Sequence, residues 1–330
     1  MGWWKRKWRL AAAVAATGAV GAASVLAAQA WAPPEHKSKW PGLLSGNGIK
    51  EATASLDLGP DLERGRAPAF ELAEHRRLDA ELAALGPQRP GVVDAYVVSA
   101  ALDSDPVFGR EAREAGRVLA RRFDAAGRTI VLAGTDGSGP SALPMGNLHS
   151  LALALARVAE RMDRSEDVLI LYVTSHGAPI GIAYHDGDEG FGFLNPARFA
   201  AQLASLGIRN RLLILSACYS GTFVPALSGE TTALFTAAAS DRTSFGCAAD
   251  NDWTYYGDAM INHALRKPQP LADAATEAVQ TIAGWEHKKH FQPSNPQVSI
   301  GSGVAVWLKP LDARMPRGAT EPVGRSPAGG

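Results

Sequence analysis

The chain has 330 residues, with 33 Lys and Arg set against 33 Asp and Glu, so its formal net charge is zero. That balance, with no basic stripe interleaved with aromatics, argues against a nucleic-acid-binding body, and 46% hydrophobic residues mark a globular chain long enough for one large domain. Two cysteines, Cys218 and Cys247, are too few for a disulfide-stapled fold and leave one bridge or two free thiols open.

The first nine residues carry Lys5, Arg6, Lys7 and Arg9 among tryptophans, and Leu10 to Ala30 then carries no charge. Ala28-Gln29-Ala30 fits the small-x-small pattern of a signal peptidase site. Residues 1–30 are therefore expected to be a signal peptide or, because roughly 20 apolar residues span a bilayer, an uncleaved signal anchor. Either implies an exported protein: periplasmic, held at the inner membrane facing the periplasm, or secreted. Residues 31–67, rich in Pro, Gly, Lys and Ser, are expected to form a linker or lead-in.

The body then alternates strand and helix patterns over 68–310. Phe70–Leu85 is patterned as a helix that stops at Gly86-Pro87. Val92–Ala101 is a predicted strand, Glu111–Ala126 a helix closed by Gly127, and Thr129–Ala133 a second strand. Gly134–Pro140 is glycine-rich but lacks the Lys of a phosphate loop. Asn147 can cap a helix running to Met162, and Asn195-Pro196 can open one to Leu206. Between them, His185-Asp-Gly-Asp-Glu189 is acidic enough to attract a divalent cation, but Asp-Gly makes it a hairpin turn. Strands at Asp167–Ser175, Arg211–Ala217 and Ala233–Ala239 follow the same alternation, then helices at Tyr255–Arg266 and Leu271–His287, and a last strand at Val304–Leu308. Alternation of this kind predicts a mainly parallel sheet with right-handed crossovers. Residues 311–330, rich in Pro, Gly and Arg, are expected to be a disordered tail.

Two of these strands end alike. Val168–Gly177 is an apolar run stopping at His176-Gly177, and Arg211–Gly221 one stopping at Cys218-Tyr-Ser-Gly221. Short, nearly continuous apolar runs are the mark of strands buried on both faces, and ligands bind beyond the carboxyl ends of such strands. One crossover separates the two, so they should be sheet neighbours carrying a thiol and an imidazole to one edge. A thiolate beside an imidazolium is a nucleophile paired with its base. Either residue alone would more often be structural, Cys218 as a small buried apolar group and His176 as a polar strand end; matching strand ends favour the dyad. The backbone N–H groups of Gly177 and Cys218 are candidates for an oxyanion hole.

Thr-Ser-His-Gly (Thr174–Gly177) and Ser-Ala-Cys-Tyr-Ser-Gly (Ser216–Gly221), each closing an apolar strand, resemble the motifs of peptidase family C13, the legumain-like cysteine peptidases of the caspase-like clan. Thr236–Asp258 resembles the region after the family's fourth strand. The resemblance implies a caspase-like three-layer α/β/α sandwich with a mainly parallel central sheet. It implies peptide hydrolysis by a Cys218–His176 dyad, with a peptide or protein as substrate and no cofactor. It further implies a substrate pocket into which Arg110, Ser244 and Asp258 carry over, with specificity for Asn or Asp. Ser216 stands at the pocket position where the family has a glutamate, two residues before the nucleophile. The asparagine proposed to orient the histidine is replaced by Phe108. A transamidase or peptide ligase would use the same dyad, and a catalytically silent caspase-like peptide-binding protein is a third expectation. No His/Cys spacing of a zinc site, no phosphatase Arg and no Gly-x-Ser-x-Gly elbow occurs, and no metal is expected.

Overall fold

The computed structural model describes residues 61–134 and 141–329. The expected signal segment, most of the lead-in and all but Gly134 of the glycine-rich loop lie outside the described residues. Within them, no helix is long and apolar enough to cross a membrane.

The strands are β1 (Asp61–Glu63), β2 (Ala95–Ala101), β3 (Thr129–Leu132), β4 (Val168–Thr174), β5 (Gly177–Ala178), β6 (Gly181–Asp186), β7 (Gly190–Leu194), β8 (Arg211–Ser216), β9 (Thr232–Thr236) and β10 (Gln297–Ile300). The principal helices are α1 (Pro68–Ala84), α2 (Pro106–Arg122), α3 (Leu148–Arg161), α4 (Pro196–Ser205), α5 (Leu271–Lys289) and α6 (Val304–Asp312). The main sheet has the order β10-β9-β8-β4-β2-β3, with only β10 antiparallel. A second, antiparallel sheet of order β1-β7-β6-β5 rises from the end of β4.

The three layers follow from the two-residue period of the buried strands. In β4, Leu169, Leu171 and Val173 face a core shared with α1, α3 and α4. Val168, Ile170 and Tyr172 face the opposite core, shared with α2, the helical segment Tyr255–Arg266, α5 and α6. Both cores are apolar and close-packed, as a parallel sheet covered on both faces requires. The expected α/β/α sandwich is therefore what forms.

Both predicted caps operate. Asn147 accepts the Ser150 N–H at 2.7 Å while the Ser150 hydroxyl accepts the Asn147 N–H at 2.9 Å, a reciprocal capping box. Asn195 accepts the Ala197 N–H at 2.9 Å ahead of Pro196. The Asp-Gly turn joins β6 to β7, with Gly187 at φ +50°.

Three expectations differ from the structure. Val304–Leu308 is not a strand but the first half of α6; Val304, Trp307 and Leu311 are buried at helical spacing, a face that a five-residue apolar run does not distinguish from a strand. The lead-in gives way to structure at β1, which pairs antiparallel with β7, and Arg66 then binds Glu63, Asp186 and Glu189. Residues 313–329, expected as a disordered tail, run against the body. The Val323 carbonyl accepts from Trp253 Nε1 at 2.8 Å and Asn262 Nδ2 at 3.0 Å, and Ala328 is buried. Partly buried polar groups on the body need these acceptors, and the tail supplies them through its backbone.

Candidate active site

β4 and β8 are adjacent and parallel, with Thr174 opposite Ser216. His176 and Cys218 each stand two residues past that pair, so the register alone brings them to one edge. Between them the backbones nearly touch: a Cβ on Gly177 would overlap the Cys218 carbonyl. After Cys218 the chain turns sharply through Tyr219 at φ +56°, a conformation unfavourable for a non-glycine residue. The turn is held by the Tyr219 N–H, which donates to the Arg242 carbonyl at 2.8 Å. The bonds at this edge, Ser175 N–H to Ser216 O and Ala183 N–H to His176 O, flank the Gly177 and Cys218 amides expected to form the oxyanion hole.

Both cysteines are free and half-buried. The Cys218 sulfur accepts the Ser244 N–H at 3.2 Å, with the Ser244 hydroxyl at 3.6 Å. A hydrogen bond from Cys247, the two Ser244 donors and the nearby His176 pull the Cys218 thiol down to about 6, against its burial. Cys247 is pushed the opposite way by Cys218, by burial and by the charges of Glu111 and Asp103. Physically, Cys247 keeps its proton and donates it toward a Cys218 thiolate. Sequence reasoning left Cys247 unassigned.

His176 is held between Asp105, which ends the β2–α2 connection, and Phe108 in the first turn of α2. Its ring meets buried Phe108 edge-to-face at 5.0 Å, and its Nε2 lies 3.5 Å from Asp105 Oδ2. Phe108 thus packs the imidazole, and the polar partner comes from Asp105, three positions earlier. Asp103 is buried beside them; its Oδ1 accepts the Asp105 N–H at 2.8 Å and its Oδ2 faces His185 Nδ1 at 3.4 Å. Burial pushes the Asp103 carboxyl up. Asp103, Asp105 and His176 bring ligand atoms within 4.8 Å of one another, so a divalent cation has three donors here, at the expense of the histidine. A groove of about 370 Å³ runs past His176, walled by Tyr184, Phe191 and Phe193 of the β6–β7 hairpin.

The expected pocket residues each have partners of their own. Ser244 contacts the thiol itself. Arg110 donates to the carbonyls of Ala249 and Asn251 and lies 3.8 Å from Asp252, pinning the loop after Cys247. Asp258 is fully buried; its Oδ1 accepts from Asn262 at 2.8 Å and lies 3.5 Å from His263. Ser216 donates at 3.2 Å to Glu111, a residue sequence reasoning missed.

Fold and site together define a class: a three-layer α/β protein with a free thiol and an imidazole at neighbouring strand ends. Residues 145–305 match the model of the Peptidase C13 family. The match supports a cysteine peptidase-type function, with peptides or proteins as substrates. The matched stretch contains His176, Cys218 and Ser244 but begins after Asp105, Arg110 and Glu111. The fold is similar to that in the crystal structure of caspase-1 from Spodoptera frugiperda, at 13% identity over 66% of this chain and 88% of that one, with a TM-score of 0.43. No curated protein matches the chain.

Proposed function

We propose that the chain is an exported cysteine endopeptidase working through Cys218 and His176. The observation that carries it is the Ser244 N–H on the Cys218 sulfur at 3.2 Å, on a thiol pulled down to about 6. A structural cysteine in an apolar core would have its pKa raised instead. Cys218 attacks the scissile carbonyl, and the oxyanion is received by the N–H groups of Gly177 and Cys218. His176 protonates the leaving amine, and the first product departs. Water, deprotonated by His176, then hydrolyses the thioester and frees the thiolate. Asp105 holds the imidazole from its far nitrogen. The reading carries no Asn or Asp preference, because Arg110 is committed to the 249–252 loop and Asp258 to Asn262 and His263.

The test is a peptide library and a thiol-reactive activity probe applied to the purified protein under reducing conditions. Cleavage and labelling are expected in wild type, lost in Cys218→Ala and His176→Ala. A wild type that neither cleaves nor labels at any pH overturns the reading in favour of a silent peptide-binding fold. Products carrying an added amine in place of water would make it a transamidase.

A further inference from the structure

Glu111 lies on the buried stripe of α2 with no exposed surface. Burying a carboxylate is costly unless its oxygens are met by donors, and every group drawn to this one is a donor. Oε1 accepts from the Tyr172 hydroxyl, from Thr174 Oγ1 at 2.8 Å and from Ser216 Oγ at 3.2 Å. Oε2 accepts the Thr254 N–H at 2.7 Å, and the Thr254 hydroxyl lies 3.3 Å from Oε1. Burial pushes the Glu111 carboxyl up, and these bonds oppose it.

The placement of the donors gives the cluster its meaning. Thr174 and Ser216 are the register pair that ends β4 and β8, each two residues before a dyad member. Thr254 heads the helical segment after the loop that carries Ser244, whose N–H donates to the Cys218 sulfur, and Cys247, which helps to pull that thiol down. One carboxylate therefore ties together the strand of the histidine, the strand of the cysteine and the loop that stabilises the thiolate. Glycine is required where this segment crosses it: a Cβ on Gly257 would fall on the Glu111 carboxylate. An apolar side chain would fill the same space without fixing three elements at once. The acid absent at position 216 is, in effect, supplied to the Ser216 hydroxyl from α2.

We propose that Glu111 is a positioning residue: its buried carboxylate fixes Cys218, His176 and Ser244 relative to one another. The inference deepens the peptidase reading and rests on it for its purpose, but its test needs no substrate.

The full-length protein and its Glu111→Gln, Thr174→Val and Ser216→Ala variants are followed by thermal melting and by the pH profile of Cys218 alkylation with iodoacetamide, read on the Cys218 peptide by mass spectrometry. Loss of a buried negative charge alone would make the thiolate easier to form and move the profile down in pH. Loss of positioning withdraws Ser244 and His176 and moves it up. The expected result is an upward move of about one unit in Glu111→Gln, which at pH 6 is about fivefold slower alkylation, with smaller upward moves in the other two. A folded Glu111→Gln with an unchanged or lowered profile overturns the proposal. If that variant does not fold, the other two decide: unmoved profiles in both overturn it. A wild type with a low-pH Cys218 profile that cuts no peptide sinks the peptidase reading and leaves Glu111 standing. A peptidase whose profile ignores Glu111→Gln does the reverse.

Discussion

Gly177 lies so close to Cys218 that a Cβ on it would overlap the Cys218 carbonyl. The histidine and cysteine strand ends are therefore locked by backbone contact, and neither side can retreat without breaking the Thr174–Ser216 register. Gly177→Ala should lose about 1–3 kcal/mol of stability, the ordinary cost of overpacking, and should lose activity out of proportion to that because the Cys218 amide moves. Thermal melting with cleavage assays checks this; a variant that melts and cleaves like wild type would show that the two ends slide freely.

Cys247 is expected to set the pH range of the nucleophile. Its donated S–H heads the influences that hold Cys218 at about 6. A depressed thiol pKa means that activity should rise as pH climbs through about 6 and the thiolate forms. Cys247→Ala removes a donor, so that limb should move to higher pH; a rise of one unit leaves about a fifth of the thiolate at pH 6. Labelling should persist at pH 9, which separates this variant from Cys218→Ala. Cys247→Ser, which keeps a donor, should fall between. An alkylation profile unmoved in Cys247→Ala would remove Cys247 from the site.

How legible this site is in the sequence differs residue by residue. The dyad strands announce themselves, because burial on both faces forces continuous apolar runs, and Asn147 and Asn195 stand at their helix starts for a local reason. Glu111 had one faint signal. With Phe108, Ala115 and Val118 it lies on the apolar stripe of α2, where a charge is out of place, but its partners are 61 and 143 positions away on other elements. Asp105 was hidden differently. It precedes Pro106 at the start of α2, where an acidic residue is unremarkable, and only the β2–β4 pairing sets it beside His176. The tail was misjudged because much of its hold is through its backbone, which any sequence offers, with Arg325 on Asp252 adding a contact that only the fold reveals.

Arg110 is expected to matter for the loop and not for the choice of substrate. Its guanidinium gathers the Ala249 and Asn251 carbonyls, and Asp252 lies beside it. Arg110→Ala should cost about 1.5–3 kcal/mol, the range for lost hydrogen bonds to a charged group, and should speed proteolytic nicking near Asp250 in the native protein. The profile of residues accepted at the cleaved bond should stay as in wild type. A selective loss of cleavage after Asn or Asp would instead return Arg110 to the substrate pocket.

Asp105 is the remaining group whose role can be separated from folding. Its carboxylate is partly exposed and lies 3.5 Å from His176 Nε2, while Phe108 meets the same ring edge-to-face. With Nε2 facing Asp105, Nδ1 is the nitrogen left for the thiol and the leaving amine in the proposed mechanism. Asp105→Asn keeps the size and removes the carboxylate that faces His176 Nε2, so the step in which His176 protonates the amine should suffer. General acid–base assistance is worth roughly 10²–10⁴ in rate, and loss of its orienting partner should cost about tenfold or more in kcat. KM should change less than kcat, because Asp105 acts through the histidine. Melting temperature should stay near that of wild type, since an exposed carboxylate contributes little to stability. Alkylation of Cys218 at pH 9 should be unchanged, because the thiolate then needs no imidazolium. A kcat within twofold of wild type would assign the orientation of His176 to Phe108 alone.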